Sequence, residues 1–249
     1  MNILLTNDDG YKATGITELH KSLGKEHKIY LVAPELNCSG MSAAISLRKE
    51  IEVKEISKNI YSVSGTPADC SYLGLLSVIH DPIEMIVSGI NLGANLGEDI
   101  FYSGTVGAAI AGRRLDYVPV AFSVVAYNPK NLEFIAKKAL AITNQAARLP
   151  SDQNLLVNVN FPDLAESELR GVKLTQLAKR GIPDIPDLIR TDNSSKFYSF
   201  GPSGSLIAGQ TETDIQAIEE KYISITILNY NLSAPEFNLD YYKEVFDCE

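Results

Sequence analysis

Short apolar runs alternate with stretches of helical period through the first two thirds of this chain. The runs Ile3–Leu5, Ile29–Ala33, Met85–Ser88, Val118–Val124 and Leu155–Val159 predict strands. Gly15–Leu23, Pro67–Ile79, Thr105–Leu115 and Leu132–Ala147 predict helices, Pro67 being suited to a first helical turn. Strands that are apolar throughout, separated by amphipathic helices, imply an α/β fold with a mostly parallel sheet covered on both faces. Glu50–Val63 breaks this rhythm and reads as a pair of antiparallel strands beside the sheet. After about Asn160 the pattern changes. Arg180–Lys196, rich in Pro, Asp and Ser, reads as a long loop, followed by strands at Phe197–Phe200 and Tyr222–Leu228 and a short helix near Asp214–Glu219. The last residues, Asn229–Glu249, carry Tyr241, Tyr242 and Phe246 and are expected to form a helix. So small a segment buries little surface alone, so it is expected to pack on the main sheet or on a second subunit. The chain thus divides into a core over residues 1–160 and a C-terminal part over 161–249, within one domain.

Composition narrows the function. A chain of 249 residues, 45% hydrophobic and without Trp, is long enough for one large α/β domain. A net charge of −9 argues against a nucleic-acid polymer as the main partner, which would need a surplus of Lys and Arg. No stretch reaches the roughly 18 to 20 apolar residues that span a bilayer. The start MNILLTNDD lacks the basic region of a signal peptide, so no membrane association and a cytoplasmic location are expected. Cys38, Cys70 and Cys248 are far apart, form no CxxC and are expected to be free thiols.

In a parallel α/β sheet, ligands bind at the carboxyl ends of the strands. Three polar loops fall on that edge: Asp8-Asp9 after the first strand, Asn37–Gly40 after the second, and Ser88–Asn95 after the strand that ends near Val87. They offer two carboxylates, the Ser39 hydroxyl, and the amide oxygens of Asn91 and Asn95. This oxygen-only set suits magnesium, manganese or calcium, and does not suit zinc or copper. His20, His27 and His80 fall in none of these loops. Ser103-Gly104-Thr105 stands at the start of a helix of small residues, where free amides and the helix dipole favour an anion. Each feature alone has a plainer reading. Asp8-Asp9 also suits a cap or polar turn, Ser39-Gly40 an ordinary turn, Ser103-Gly104-Thr105 an ordinary N-cap, and Gly65–Cys70 a turn with Pro at a helix start. Their convergence on one edge favours a ligand site. Tyr11 and Tyr102 flank it in sequence and are candidates for stacking on a base.

The segments ILLTNDDGY, VAPELNCSG, GTPADC, SGINLGANLG and YSGTVGAA, in this order, closely resemble the SurE family of metal-dependent 5′/3′-nucleotidases. NVNFPD, GVKLTQLAKR and DIQAIEEKYISIT extend the resemblance over nearly the whole chain. It implies a Rossmann-like core, and one divalent cation per subunit, magnesium or manganese, on Asp8, Asp9, Ser39 and Asn91. It implies phosphate on Asn95 and on the turn Ser103, Gly104, Thr105. It also implies a homodimer or homotetramer with exchanged C-terminal arms, acting on nucleoside monophosphates, with 3′-nucleotides and polyphosphate as further substrates. The chain departs from the family pattern at Thr14, Ala44, Ser46 and Lys221, and in the absence of Pro after the SIT of ISITILNYN, none of which removes a site residue. The expected reaction is attack of activated water on a phosphomonoester, with Asp8 and Asp9 as its catalytic carboxylates. A covalent aspartyl-phosphate route is less favoured, because adjacent acids do not point the same way from an extended chain. A non-catalytic nucleotide or metal sensor would use the same pocket without turnover.

Overall fold

The computed structural model describes residues 1–151, 154–200 and 204–231. The strands are β1 (Asn2–Thr6), β2 (Lys28–Pro34), β3 (Val53–Ser57), β4 (Ile60–Val63), β5 (Met85–Leu92), β6 (Val120–Val124), β7 (Leu155–Phe161), β8 (Gly171–Thr175), β9 (Asp187–Asp192), β10 (Ser195–Ser199) and β11 (Tyr222–Asn229). Nine of them form one sheet in the order β3-β4-β2-β1-β5-β6-β7-β11-β8. From β4 to β7 all neighbours are parallel. At the edges β3 runs antiparallel to β4 and β11 antiparallel to β7, with β8 parallel to β11.

The period of two along the central strands divides the core. In β1, Ile3 and Leu5 face the helices α1 (Thr14–Leu23) and α4 (Leu132–Ala146), packing with Ile16, Leu19, Ile135 and Ala139. Leu4, between them, packs with Val32, Ile86 and Cys70 beneath the helix α2 (Pro67–Leu73). The helix α3 (Gly104–Ile110) covers the same face farther along, Val106 and Ala109 resting on Ala121 and Leu156. The helix α5 (Asp214–Glu219) packs on β11. Because β1 is followed by β2 on one side and flanked by β5 on the other, the sheet has its topological switch between β1 and β5.

The expected parallel core, the edge pair at Glu50–Val63 and the short helix near Asp214 are all present. Three readings need correction. Arg180–Lys196 is not a long loop: it contains β9 and enters β10, which pair as an antiparallel hairpin. Both hairpin strands are exposed along their whole length, so neither shows the alternation that marks a half-buried strand. The strand β8 was not anticipated, being a five-residue edge strand without a buried face. The helix at Thr105–Leu115 stops at Ile110, and the one at Pro67–Ile79 continues beyond Leu73 as a π-helical turn over Gly74–Val78. The helix expected in the C-terminal tail lies outside the described residues, as does Cys248; Cys38 and Cys70 are free thiols. Lys221, a departure from the family pattern, has φ 68, a conformation that glycine adopts without strain.

The N-terminus of α1 presses on β5 where the register with β6 shifts between Ser88 and Asn91. A Cβ on Gly15 would lie 1.9 Å from the Ile90 carbonyl oxygen. Gly15→Ala is therefore expected to displace α1 from the sheet and cost about 1–3 kcal/mol, measurable by urea unfolding. Wild-type stability would show that the helix can retreat freely.

Candidate active site

The turn after β1 is built by Asn7, which is fully buried. Its amide nitrogen donates to the Gly10 carbonyl (2.9 Å) and its oxygen accepts from the Gly10 N–H (3.2 Å). With Asn7 spent on the turn, Asp8 and Asp9 stand at the switch point. The Asp8 carbonyl accepts from the Cys38 N–H at 2.7 Å, tying the loop after β2 to the same place.

Asp8 is 4% exposed. One carboxylate oxygen accepts from the Thr105 hydroxyl at 2.7 Å, and Gly104 backs the side chain so closely that a Cβ there would lie 2.9 Å from Asp8 Cβ. Burial, and secondarily the charge of Asp9, pushes the Asp8 carboxyl up to about 6, against the hydrogen bond from Thr105. Asp9 accepts the Leu92 N–H at 2.9 Å on one oxygen and the Asn37 amide at 3.1 Å on the other. Burial lifts its carboxyl above the ordinary range in spite of both bonds. Among the described residues no lysine or arginine forms an ion pair with either acid. Two adjacent carboxylates held by neutral donors keep a negative charge that the chain does not balance. Their oxygen-only surroundings fit a hard divalent cation.

The other expected metal ligands adjoin this pair. Asn37 also accepts the Ser39 N–H at 2.9 Å, which ties exposed Ser39 to the loop that holds Asp9. Asn91 precedes Leu92, the donor to Asp9, and turns its amide nitrogen to the Gly93 carbonyl (2.9 Å), leaving its oxygen as an acceptor.

On the anion side, Thr105 joins the two halves. Its hydroxyl donates to Asp8 and accepts from the Asn95 amide at 3.3 Å, while that amide also donates to the Ser123 hydroxyl at 2.7 Å. Ser103 is the N-cap of α3, its hydroxyl accepting from the Val106 N–H at 3.1 Å. Asp8, Gly104, Thr105 and Asn95 are thus in direct contact. Ser103, Ser39 and Asn91 join through their neighbours. Tyr102 is 65% exposed and Tyr11 half-buried beside the turn.

Sequence reasoning missed the residues that hold Asn95. The Asn95 N–H donates to Asn160 (2.9 Å), and its carbonyl accepts from the amides of Asn158 (2.9 Å) and Asn160 (2.8 Å). Both are fully buried in β7. The available signal was the period: two amides at i and i+2 in an apolar strand face the same side and require partners there.

A family model described as Survival protein SurE matches residues 3–184. A protein of Pseudoalteromonas atlantica named 5′-nucleotidase SurE is 39% identical over 236 residues, covering 94% of each chain. A protein of Pseudomonas putida with the same name is 37% identical over 228 residues, covering 92% of each. The crystal structure of the SurE protein from Aquifex aeolicus superposes with a TM-score of 0.85 at 32% identity, over 99% of this chain and 100% of that one.

The segment Gly65–Cys70 braces this edge. Thr66 and Asp69 form a capping box at the start of α2. Thr66 also donates to the Ala44 carbonyl (2.6 Å), and Asp69 accepts the Ser46 N–H (3.0 Å), which anchors the chain that follows Ser39. The contact at Ala44 is made by its backbone carbonyl, and Ser46 offers Asp69 its backbone N–H and its hydroxyl, so these departures from the family pattern leave the anchor intact. Burial pushes the Asp69 carboxyl up, but the bonds from Ser46 and Thr66 outweigh it and hold the group below its ordinary value of 3.8. A depressed folded value stabilises the protein above the unfolded value and loses that contribution as pH falls through the folded one. Asp69→Asn is accordingly expected to cost about 1 kcal/mol near pH 7. The gap to wild type should narrow in unfolding curves taken below pH 3.8. A gap independent of pH would remove the carboxylate charge from this account.

Proposed function

The chain belongs to the SurE family, and on that premise we propose that it is a 5′-nucleotidase that hydrolyses nucleoside monophosphates to nucleoside and phosphate. The observation that carries this reading is the contact of the Thr105 hydroxyl with Asp8. It joins an acidic, cation-seeking pair to the start of a helix suited to phosphate.

In this reading Asp8, Asp9, Ser39 and Asn91 hold one divalent cation, magnesium or manganese. The chemistry such an ion supplies when bound is Lewis acidity toward a phosphoryl oxygen and ready formation of hydroxide near neutral pH. Asn95, Ser103, Gly104 and Thr105 hold the remaining phosphoryl oxygens and stabilise the charge that spreads over them in the transition state. Water attacks phosphorus in line, a carboxylate of the Asp8-Asp9 pair takes its proton, and the bond from phosphorus to the ester oxygen breaks, that oxygen taking a proton from solvent and leaving as the nucleoside hydroxyl. Both oxygens of Asp9 already accept hydrogen bonds, which suits a fixed holder better than a covalent nucleophile.

We also place the enzyme in the cytoplasm, where its free thiols Cys38 and Cys70 stay reduced. It works as a homodimer or homotetramer. The hairpin β9–β10 exposes Leu188 (51%), Ile189 (63%) and Tyr198 (56%), and an isolated two-stranded hairpin is marginally stable without a surface to pack on. No helix among the described residues is long and apolar enough to cross a membrane.

Chelator treatment is expected to abolish phosphate release from a panel of 5′- and 3′-nucleoside monophosphates and polyphosphate, and magnesium or manganese to restore it. Asp8→Asn and Asp9→Asn should each lower kcat/KM at least about 100-fold. Metal-independent release, or full activity in both variants, overturns the site; binding without turnover by the wild type supports a sensor. Sedimentation velocity should give a dimer or larger, and Ile189→Asp should shift it toward monomer.

A further inference from the structure

Asp214 is the first residue of α5 and is fully buried, yet no lysine or arginine pairs with it among the described residues. Its carboxylate does not cap the helix. Thr213 does that, accepting the Gln216 N–H at 3.2 Å. Instead one Asp214 oxygen accepts the Gly97 N–H at 2.6 Å, and the other accepts those of Ala178 (3.0 Å) and Ile215 (2.9 Å). Burying a carboxylate without a cation is costly, and three backbone donors are what make it tolerable.

Gly97 lies two residues after Asn95, in the stretch that leads to the Ser103 turn. Its φ is +56, and a Cβ on it would lie 2.7 Å from the Ala178 carbonyl oxygen, so the backbone is pinned between Ala178 and the Asp214 carboxylate. Arg180 holds the next two residues: its N–H donates to Glu98 (2.8 Å) and its guanidinium pairs with Asp99 (2.8 Å). At the near end Asn158 and Asn160 hold Asn95, and at the far end Ser103 starts α3. Every residue of the proposed phosphate clamp is therefore carried by a segment whose middle is fixed from the C-terminal part of the chain. Asp214 also lies beyond the span matched by the family model.

We propose that Asp214 is a positioning residue for phosphate: through Gly97 it sets the path of residues 95–105, and so the spacing of Asn95 from Ser103, Gly104 and Thr105. The proposal rests on the reading of these residues as the phosphate clamp.

The test compares wild type with Asp214→Asn in the full chain. An asparagine keeps the shape but directs an N–H₂ at one of the backbone donors. Amide hydrogen exchange in peptides covering 95–105 should quicken at least about 10-fold, and the affinity for inorganic phosphate in magnesium, measured by calorimetry, should fall about 10-fold. Turnover of nucleoside monophosphates should fall about 10- to 100-fold. The metal concentration for half-maximal activity should stay within about 2-fold, since Asp214 touches no proposed metal ligand. A folded Asp214→Asn variant with a lowered Tm but unchanged exchange at 95–105 and unchanged phosphate affinity overturns the proposal, leaving the carboxylate a role in packing α5 alone. If that variant does not fold, Arg180→Gln decides. It should loosen the same segment and weaken phosphate binding to a smaller degree, and unchanged values overturn the proposal. If the wild type releases no phosphate from any nucleotide, the assignment as a nucleotidase fails, while the exchange and phosphate-binding measurements still decide the role of Asp214.

Discussion

The site is organised by the charge of two consecutive carboxylates at the lip of an apolar core. Asp8 and Asp9 follow a strand whose Leu4 and Leu5 are fully buried, at the switch point where connections leave the sheet in opposite directions. Desolvating one carboxylate is costly, and a second beside it adds repulsion. Among the described residues the chain answers with neutral donors: the Thr105 hydroxyl on Asp8, and the Leu92 N–H and Asn37 amide on Asp9. These fix the geometry without cancelling the charge. A lysine in the same place would stabilise the empty fold and compete with a cation; that none pairs with these acids among the described residues fits a site whose charge is reserved for a ligand.

A polar layer inside an otherwise apolar sheet follows from the same constraint. Asn95 has to stand between Thr105 and Ser123 with little freedom, and its backbone is held on both sides by Asn158 and Asn160. Two fully buried amides in a central strand lose packing and hydration, and hydrogen bonds return much of that loss. They also remove alternative positions for the loop. A hydrophobic pair in β7 would pack well and leave Asn95 free to wander. The cost is thus accepted in the sheet in order to fix a loop that crosses its edge.

How much could be read from the sequence follows from the range of the interactions. The core strands were legible because burial on both faces gives them continuous apolar runs, as Ile3–Leu5 and Ile29–Ala33 show. The hairpin β9–β10 was not, because solvent on both faces allows any polar residue and Arg180–Lys196 then looks like a loop. The strand β8 was missed for a related reason, being short and at the edge. In the candidate site, Asp8, Asp9, Asn91 and the Ser103 turn were legible because a parallel α/β order places every loop that follows a strand on one edge, however far apart in sequence. Asn158, Asn160 and Asp214 were not. Their partners at Asn95 and Gly97 are backbone groups 63 to 117 residues away, and nothing in a local pattern states which distant amide a buried side chain will meet.

That distance bears on how the site is assembled during folding. The acidic pair and its neutral donors come from residues within the first 105, so half of the site can form once the parallel core has closed. The segment that carries Asn95 is different, since Gly97, Glu98 and Asp99 are held by Asp214 and Arg180, from the part of the chain that adds β8, α5 and β11 to the sheet, while Ser42 holds Phe101 and Tyr102 from the core. A core that ended near residue 160 would keep the carboxylates in place, but would leave Gly97 with its N–H unpaired beside the missing Ala178 contact. Because backbone groups in such a position need a partner or water, the chain at Gly97 would have to turn its N–H to solvent, loosening the stretch that follows Asn95. The C-terminal part is on this account a constituent of the site, joined to it through the buried Asp214 carboxylate and through Arg180.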